Sequence, residues 1–287
     1  MPACAFLSTD SLDEFVVYDA LAVPPLQALG WTVETVPWRA SVDWGAFDAV
    51  VIRSPWDYQD HPADFLRVLE AIEASGARLE NGLDVVRWNL EKTYLRDLEA
   101  RGVRTVPSAW GRGLTEAALA ALLSEWGEAV VKPTVGANAD DTFRLRPGDE
   151  GARQRAARAF AGGRAYLAQP FVRSVVDEGE FSVFAFGGAV SHAVLKTPAA
   201  GDFRVQEEHG GAIRAVRPEP ALLALTDAAL GAVGRPLLYA RVDAVRMPDG
   251  GFALMELELI EPSLYFPYAP GSAERFARAL DARLRPA

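Results

Sequence analysis

The stretch at residues 237–261, LLYARVDAVRMPDGGFALMELELIE, constrains the chain most, because period-two alternation divides it into two strands around a loop of turn formers. In the first strand Tyr239, Arg241, Asp243 and Val245 share one face and Leu238, Ala240, Val242 and Ala244 the other. In the second, Leu254, Glu256, Glu258 and Ile260 oppose Ala253, Met255, Leu257 and Leu259. A loop of Pro248, Asp249, Gly250 and Gly251 would pair Met247 with Phe252, setting Asp243 across from Glu256 and Arg241 across from Glu258. Three carboxylates beside one arginine repel each other, so this face needs raised carboxyl pKa values or added cations. Oxygen donors of this kind suit magnesium or manganese, and a merely solvated acidic face is the alternative that the hairpin leaves open.

The remaining composition narrows the partners. A net charge of −10 and a pI near 4.9 argue against nucleic acid or an anionic membrane, both of which reward basic surfaces. No apolar run is long enough to span a bilayer, and no basic region followed by an apolar stretch opens the chain, so a cytoplasmic protein is expected. The single Cys4 excludes an internal disulfide and a cysteine-based zinc site. Among 29 basic residues only Lys92, Lys132 and Lys196 are lysines. In so biased a chain, a lysine marks a place where a compact point charge is needed, as against phosphate oxygens.

In chain order, a strand at 3–8 leads into a helical stretch ending at Leu29, followed by strands at 31–36 and 49–53 and a helix at 62–74. These predict an N-terminal α/β domain over 1–85 with a mainly parallel sheet, whose loop RSPWDYQDHP lies where ligands bind in open sheets. One or two helices over 83–101, a strand from Val103 running into Pro107, a helix at 115–126, a strand–loop–strand at 128–145, a helix at 149–161 and a strand at 166–169 give a central domain, 86–168. Its loop VGANADD could wrap phosphates, although it is poor in glycine. A hairpin turning at Gly187-Gly188, a polar loop at 197–211, a helix at 219–233, the acidic hairpin and a helix at 273–284 complete a third domain, 169–287. The histidines His61, His192 and His209 are scattered and suggest no triad.

The order of these features resembles the ATP-grasp superfamily, the fold of D-alanine–D-alanine ligase and glutathione synthetase, across nearly the whole chain. Lys92 in NLEKTYL and Lys132 in VVKP resemble that family's two phosphate lysines. Gln169, Pro170, Phe171 and Val172 resemble the hinge that meets adenine, and Glu180 in GEFSV the ribose glutamate. GDFRVQEEHGG is similar to the family's GDFRxN loop, matching at Arg204 and departing at Gln206. Asp243, Glu256 and Glu258 fall on its three magnesium ligands, with Glu258 standing where asparagine is usual. RSPWDY, RWNLEKTYLRDL and ELELIEPSL look most like the branch containing the cycloserine-forming O-ureidoserine cyclo-ligase.

The resemblance implies an α/β (α+β) ATP-grasp fold with an N-terminal open α/β domain, a central lid-like domain and a C-terminal antiparallel sheet. It implies an ATP-dependent carboxylate–amine or cyclo-ligase that uses ATP and Mg2+ (or Mn2+), forms an acyl phosphate and releases ADP and phosphate. Arg241 and Arg204 would steady the acyl phosphate, while Lys196 and the loop at 202–206 close over it. Ser54, Trp56, Asp57, Tyr58 and Ser263 would hold a small amino-acid-like substrate, and a homodimer is allowed. A glycosidase using Glu256 and Glu258, about 7 Å apart on one strand, explains neither the lysines nor the loop. A nucleotide-binding protein without chemistry has no need of all three acidic ligands.

Overall fold

The computed structural model describes residues 1–13, 15–136 and 139–284. Its first sheet holds β1 (Ala3–Ser8), β2 (Thr32–Pro37), β3 (Ala49–Ser54) and the short β4 (Arg78–Glu80), in the order β2-β1-β3-β4 and parallel throughout. The helix expected to run up to Leu29 is reduced to a 3-10 turn at Asp19–Ala22 and α1 (Val23–Ala28). Pro24 and Pro25 explain this, since proline is tolerated only in a helix's first turn. Helix α2 (Pro62–Ala74) begins at its proline and buries Phe65, Leu69 and Ile72 against Val50 and Ile52 of β3. Each such side chain contributes about 1.5–3 kcal/mol on burial.

Helices α3 (Leu83–Asn89) and α4 (Tyr94–Ala100) follow, with Lys92 in the link between them. The strand expected to run into Pro107 is reduced to a single bridge, Thr105 to Leu254, and β5 begins only beyond the proline, at Ala109, ending at Arg112. Then come α5 (Glu116–Trp126), β6 (Ala129–Pro133), β7 (Phe143–Leu145), α6 (Glu150–Ala159) and β8 (Ala165–Pro170). The four strands form an antiparallel sheet in the order β5-β8-β6-β7, backed by Leu119, Leu122 and Phe160. Of the VGANADD loop, Ala137 and Asn138 lie outside the described residues.

The third sheet follows the short α7 (Ser174–Asp177). It contains β9 (Glu180–Phe186), β10 (Ala189–Thr197) and β11 (Ala212–Val216), a strand that sequence did not reveal. After α8 (Pro220–Val233) it is completed by β12 (Tyr239–Arg246) and β13 (Phe252–Glu258), in the order β11-β10-β9-β12-β13, and α9 (Ser272–Leu284) ends the described chain. Gly187 and Gly188 have φ of 57° and 85°, the left-handed pair that a two-residue hairpin turn requires. Among the described residues no helix is long and apolar enough to cross a membrane.

The acidic hairpin pairs Asp243 with Glu256 and Arg241 with Glu258, as the alternation predicts, but it reaches that register differently. Arg246, not Met247, opposes Phe252, and a bulge opposite the Asp243/Ala244 step takes up the extra residue, Met255. The bulge inverts the strand's facing on its N-terminal side. Leu254, expected beside the glutamates, instead packs in the core with Val242, Ala244 and Leu257, whereas Met255 turns to the site side.

Strand β13 is an edge strand, yet its free edge is satisfied by side chains of the α3–α4 region. Leu257 N–H donates to the Tyr94 hydroxyl at 2.9 Å, and Asn89 Nδ2 donates to Leu257 O at 2.9 Å. Leu259 N–H donates to Asn89 Oδ1 at 2.9 Å, and Asn81 Nδ2 to Leu259 O at 2.8 Å. Truncating Asn89→Ala leaves a buried donor and a buried acceptor unpaired, which should cost roughly 2–5 kcal/mol of stability. An unchanged midpoint in urea unfolding would contradict that role for Asn89.

Candidate active site

The antiparallel sheets face each other across an open cleft, the concave and partly polar setting in which small-ligand sites are built. One wall is the acidic face of the β12–β13 hairpin; the opposite wall comes from β6, β8 and the chain after β8. The segment at 203–208 and the loop bearing Trp56 and Tyr58 also line it.

The carboxylates are ringed by basic groups from four separate elements. Lys92 Nζ lies 3.0 Å from Glu256 and donates to Gly136 O at 2.8 Å, and Lys132 Nζ on β6 lies 3.4 Å from the other Glu256 oxygen. Burial opposes ionisation of Glu256, but Lys132 and Lys92 outweigh it and hold the carboxyl well below its usual range. Lys196 Nζ sits 2.6 Å from Glu180 and 3.2 Å from Asp243. Arg241 bridges Asp243, at 3.0 Å, to Glu258. Burial, with Asp243 and Glu256 nearby, nevertheless pushes the Glu258 carboxyl up. The repulsion on this face is offset by lysines from outside the hairpin, beside the single arginine within it.

Among the described residues no three acidic or histidine side chains converge closely enough to cage a metal ion by themselves. The donor set is all oxygen, which suits Mg2+, and Mg2+ in nucleotide sites takes only one or two protein carboxylates together with phosphate oxygens. The residues therefore fit an ion shared with a nucleotide rather than a preformed cage.

Several of the residues singled out in the sequence lie at the cleft. Gln169 is buried at the end of β8 with Nε2 donating to Ser108 Oγ at 3.1 Å, and Phe171 and Val172 line the cleft. The Arg144 guanidinium lies 3.3 Å from the Phe171 ring centroid, stiffening that wall. Arg204 lines the cleft, steadied by Asp202 at 2.8 Å, and Ser263 lines it too. Lys196 lies on β10, at the end of the alternating strand that the sequence predicts, in register with Glu180 and almost wholly buried. Others need correction. Ser54 is buried at the end of β3, and Asp57 accepts from Trp38 Nε1 at 2.7 Å and pairs with Arg39, so neither lines the cleft. Proximity in sequence to Trp56 and Tyr58 was no guide, because Asp57 turns to Trp38 and Arg39 while Trp56 and Tyr58 turn to Glu261.

Glu261 was missed by sequence reasoning. The period-two pattern places Ile260, not Glu261, on the acidic face, but β13 ends at Glu258 and the parity ends with it. Glu261 lines the cleft; its Oε1 accepts from the Tyr58 hydroxyl at 2.8 Å and its backbone O from Trp56 Nε1 at 2.9 Å. Burial pushes its carboxyl up to about 7 against the pull of the Tyr58 hydrogen bond and Lys92.

Comparison with known proteins bears on this geometry. A family model described as D-cycloserine synthetase DcsG, N-terminal domain, matches residues 4–81. The cycloserine biosynthesis protein DcsG of Streptomyces lavendulae is 37% identical over 302 residues, covering 98% of each chain. The crystal structure of D-cycloserine synthetase DcsG superposes with a TM-score of 0.88 at 34% identity, over 99% of this chain and 100% of that one. The ATP-grasp ligase PsnB, with a minimal precursor, shares the fold at a TM-score of 0.68 and 19% identity, over 98% and 99% of the two chains. With full-length identity of this order and lysines, carboxylates and hairpin gathered in one cleft, the chain belongs to the DcsG family of ATP-grasp ligases.

Proposed function

We propose that this enzyme uses ATP to phosphorylate the carboxylate of an O-ureidoserine-like amino acid and then closes the ring onto a nitrogen of the same molecule, releasing ADP and phosphate. The observation that carries this reading is the convergence of Lys92, Lys132, Lys196 and Arg241 on Asp243, Glu256 and Glu258 in one cleft, in a chain similar over its full length to a cycloserine biosynthesis protein. The division into units at 1–85, 86–168 and 169–287 fits this reading, with the substrate entering beside the first and the nucleotide lying between the other two.

The substrate carboxylate oxygen attacks the γ-phosphorus, the β–γ bridging bond breaks and ADP leaves. The oxygen-bound ureido nitrogen then attacks the acyl carbon and gives up its proton, and phosphate departs, with the carbamoyl group still on that nitrogen. Lys92 and Lys132 both neutralise Glu256, so an arriving triphosphate replaces one anionic partner by another without stranding a buried charge. The Phe171 and Val172 wall receives the base, and Glu180, held by Lys196, the ribose. Arg241 is placed to stabilise charge developing at the acyl centre. Magnesium, when bound by Asp243, Glu256 and Glu258, would neutralise phosphate charge. The segment at 203–208 limits access of water, which would otherwise hydrolyse an acyl phosphate.

ADP release should require both a divalent cation and the amino-acid substrate, followed in a coupled assay; steady ATP hydrolysis indifferent to both would contradict a ligase. A second expectation separates the two glutamates. Glu258→Gln keeps an oxygen and removes a charge whose ionisation is already disfavoured, so it should mainly raise the magnesium needed for half-maximal rate. Glu256→Gln removes the one carboxylate that two lysines hold ionised, and should lose roughly a hundredfold or more in kcat that excess metal does not restore. Equal and metal-rescued defects in magnesium titrations of the two variants would refute this division.

A further inference from the structure

Among the described residues, the cleft carboxylates carried by β9, β12 and β13 each have a basic partner. Glu180 and Asp243 share Lys196, Glu256 holds Lys92 and Lys132, and Glu258 holds Arg241. Glu261, in the same cleft, has no Lys, Arg or His nitrogen within 4.0 Å among the described residues; its side chain is met only by the Tyr58 hydroxyl, at 2.8 Å. A cleft carboxylate lacking a cation is a ready acceptor for a cationic ligand group, because a charge-assisted hydrogen bond is about twice as strong as a neutral one.

Its place is fixed by the N-terminal loop. Trp56 Nε1 donates to Glu261 O at 2.9 Å and Arg53 Nη2 to Pro262 O at 2.9 Å, with Arg53 anchored on Asp19 at 3.0 Å. Three residues of the RSPWDY stretch thus hold the segment at 261–262, so the carboxylate waits in position and little ordering is needed on binding. Trp56 and Tyr58 line the cleft beside it and offer aromatic surface that favours a cation.

We propose that Glu261 is the specificity residue that receives the α-ammonium group of the amino-acid substrate, with Tyr58 and Trp56 as its positioning residues. This rests on the amino-acid ligase reading above. It gives the loop at 53–58 a role other than direct grip of the substrate: the loop aims a carboxylate from the far side of the acidic hairpin. It also accounts for a carboxylate, Glu261, that follows β13 without the basic partner that Glu180, Asp243, Glu256 and Glu258 possess.

The test is a two-by-two comparison of wild type and Glu261→Gln with O-ureidoserine and its desamino analogue, measuring ADP release. Glu261→Gln retains an acceptor for Tyr58, and Mg-ATP affinity by calorimetry reports whether the variant is intact. The inference predicts that the variant raises KM for O-ureidoserine by roughly 10- to 150-fold, with Mg-ATP affinity and the magnesium requirement unchanged. Wild type should show a similar rise with the desamino analogue, and the variant should show no further rise with it. Equal losses on both substrates, or a raised magnesium requirement that would make Glu261 a metal ligand, would overturn the assignment. Wild-type enzyme that binds Mg-ATP yet releases no ADP with O-ureidoserine would overturn the ligase reading on which it rests.

Discussion

The site depends on the way one edge strand is held. β13 carries Glu256 and Glu258, and an edge strand with open backbone groups would be free to slip or fray. Here Asn89, Asn81 and Tyr94 satisfy those groups, with Leu254 also exchanging hydrogen bonds with the backbone of Arg104 and Val106. The same link that supplies Asn89 and Tyr94 carries Lys92. Fixing the strand and delivering the lysine to Glu256 are therefore one structural act, and a shift of α3 or α4 would move ligand and counter-ion together.

On that frame the cleft is a set of exchangeable ion pairs. Deeply placed charges are costly unless paired, and here Lys92, Lys132, Lys196 and Arg241 come from the α3–α4 link, β6, β10 and β12 respectively. The lysines are point charges on flexible stems, able to turn from carboxylate to phosphate, whereas Arg241 is a planar fork spanning Asp243 and Glu258. This division accounts for the survival of three lysines in a chain whose other basic residues are all arginine. All three stand in the cleft.

Much of this was legible because alternation and turn chemistry are local signals. The parallel first sheet, the Gly187-Gly188 hairpin and the pairing of Asp243 with Glu256 follow from residues close in sequence. The bulge at Met255 was not legible, since it follows from a shorter hairpin closure, Met247 N–H to Gly251 O, that the sequence permits equally with its neighbour. Nor were the clips made by Asn89 and Asn81, which join residues more than 150 positions apart, or the use of Asp57 as an anchor for Trp38. Glu261 escaped for a related reason: a face can be read from alternation only while the strand lasts.

The chemistry proposed for the cleft makes one demand that no simple nucleotide-binding or hydrolytic role shares: an oxygen must pass from the substrate carboxylate to the phosphate. Turnover of an amino-acid substrate labelled with 18O in its carboxylate, read by the isotope shift of the released phosphate in 31P NMR, follows that oxygen directly. The account predicts phosphate carrying one substrate-derived 18O for each ADP formed. Unlabelled phosphate accompanying ADP would show that water, not the substrate carboxylate, attacks ATP, and would contradict it.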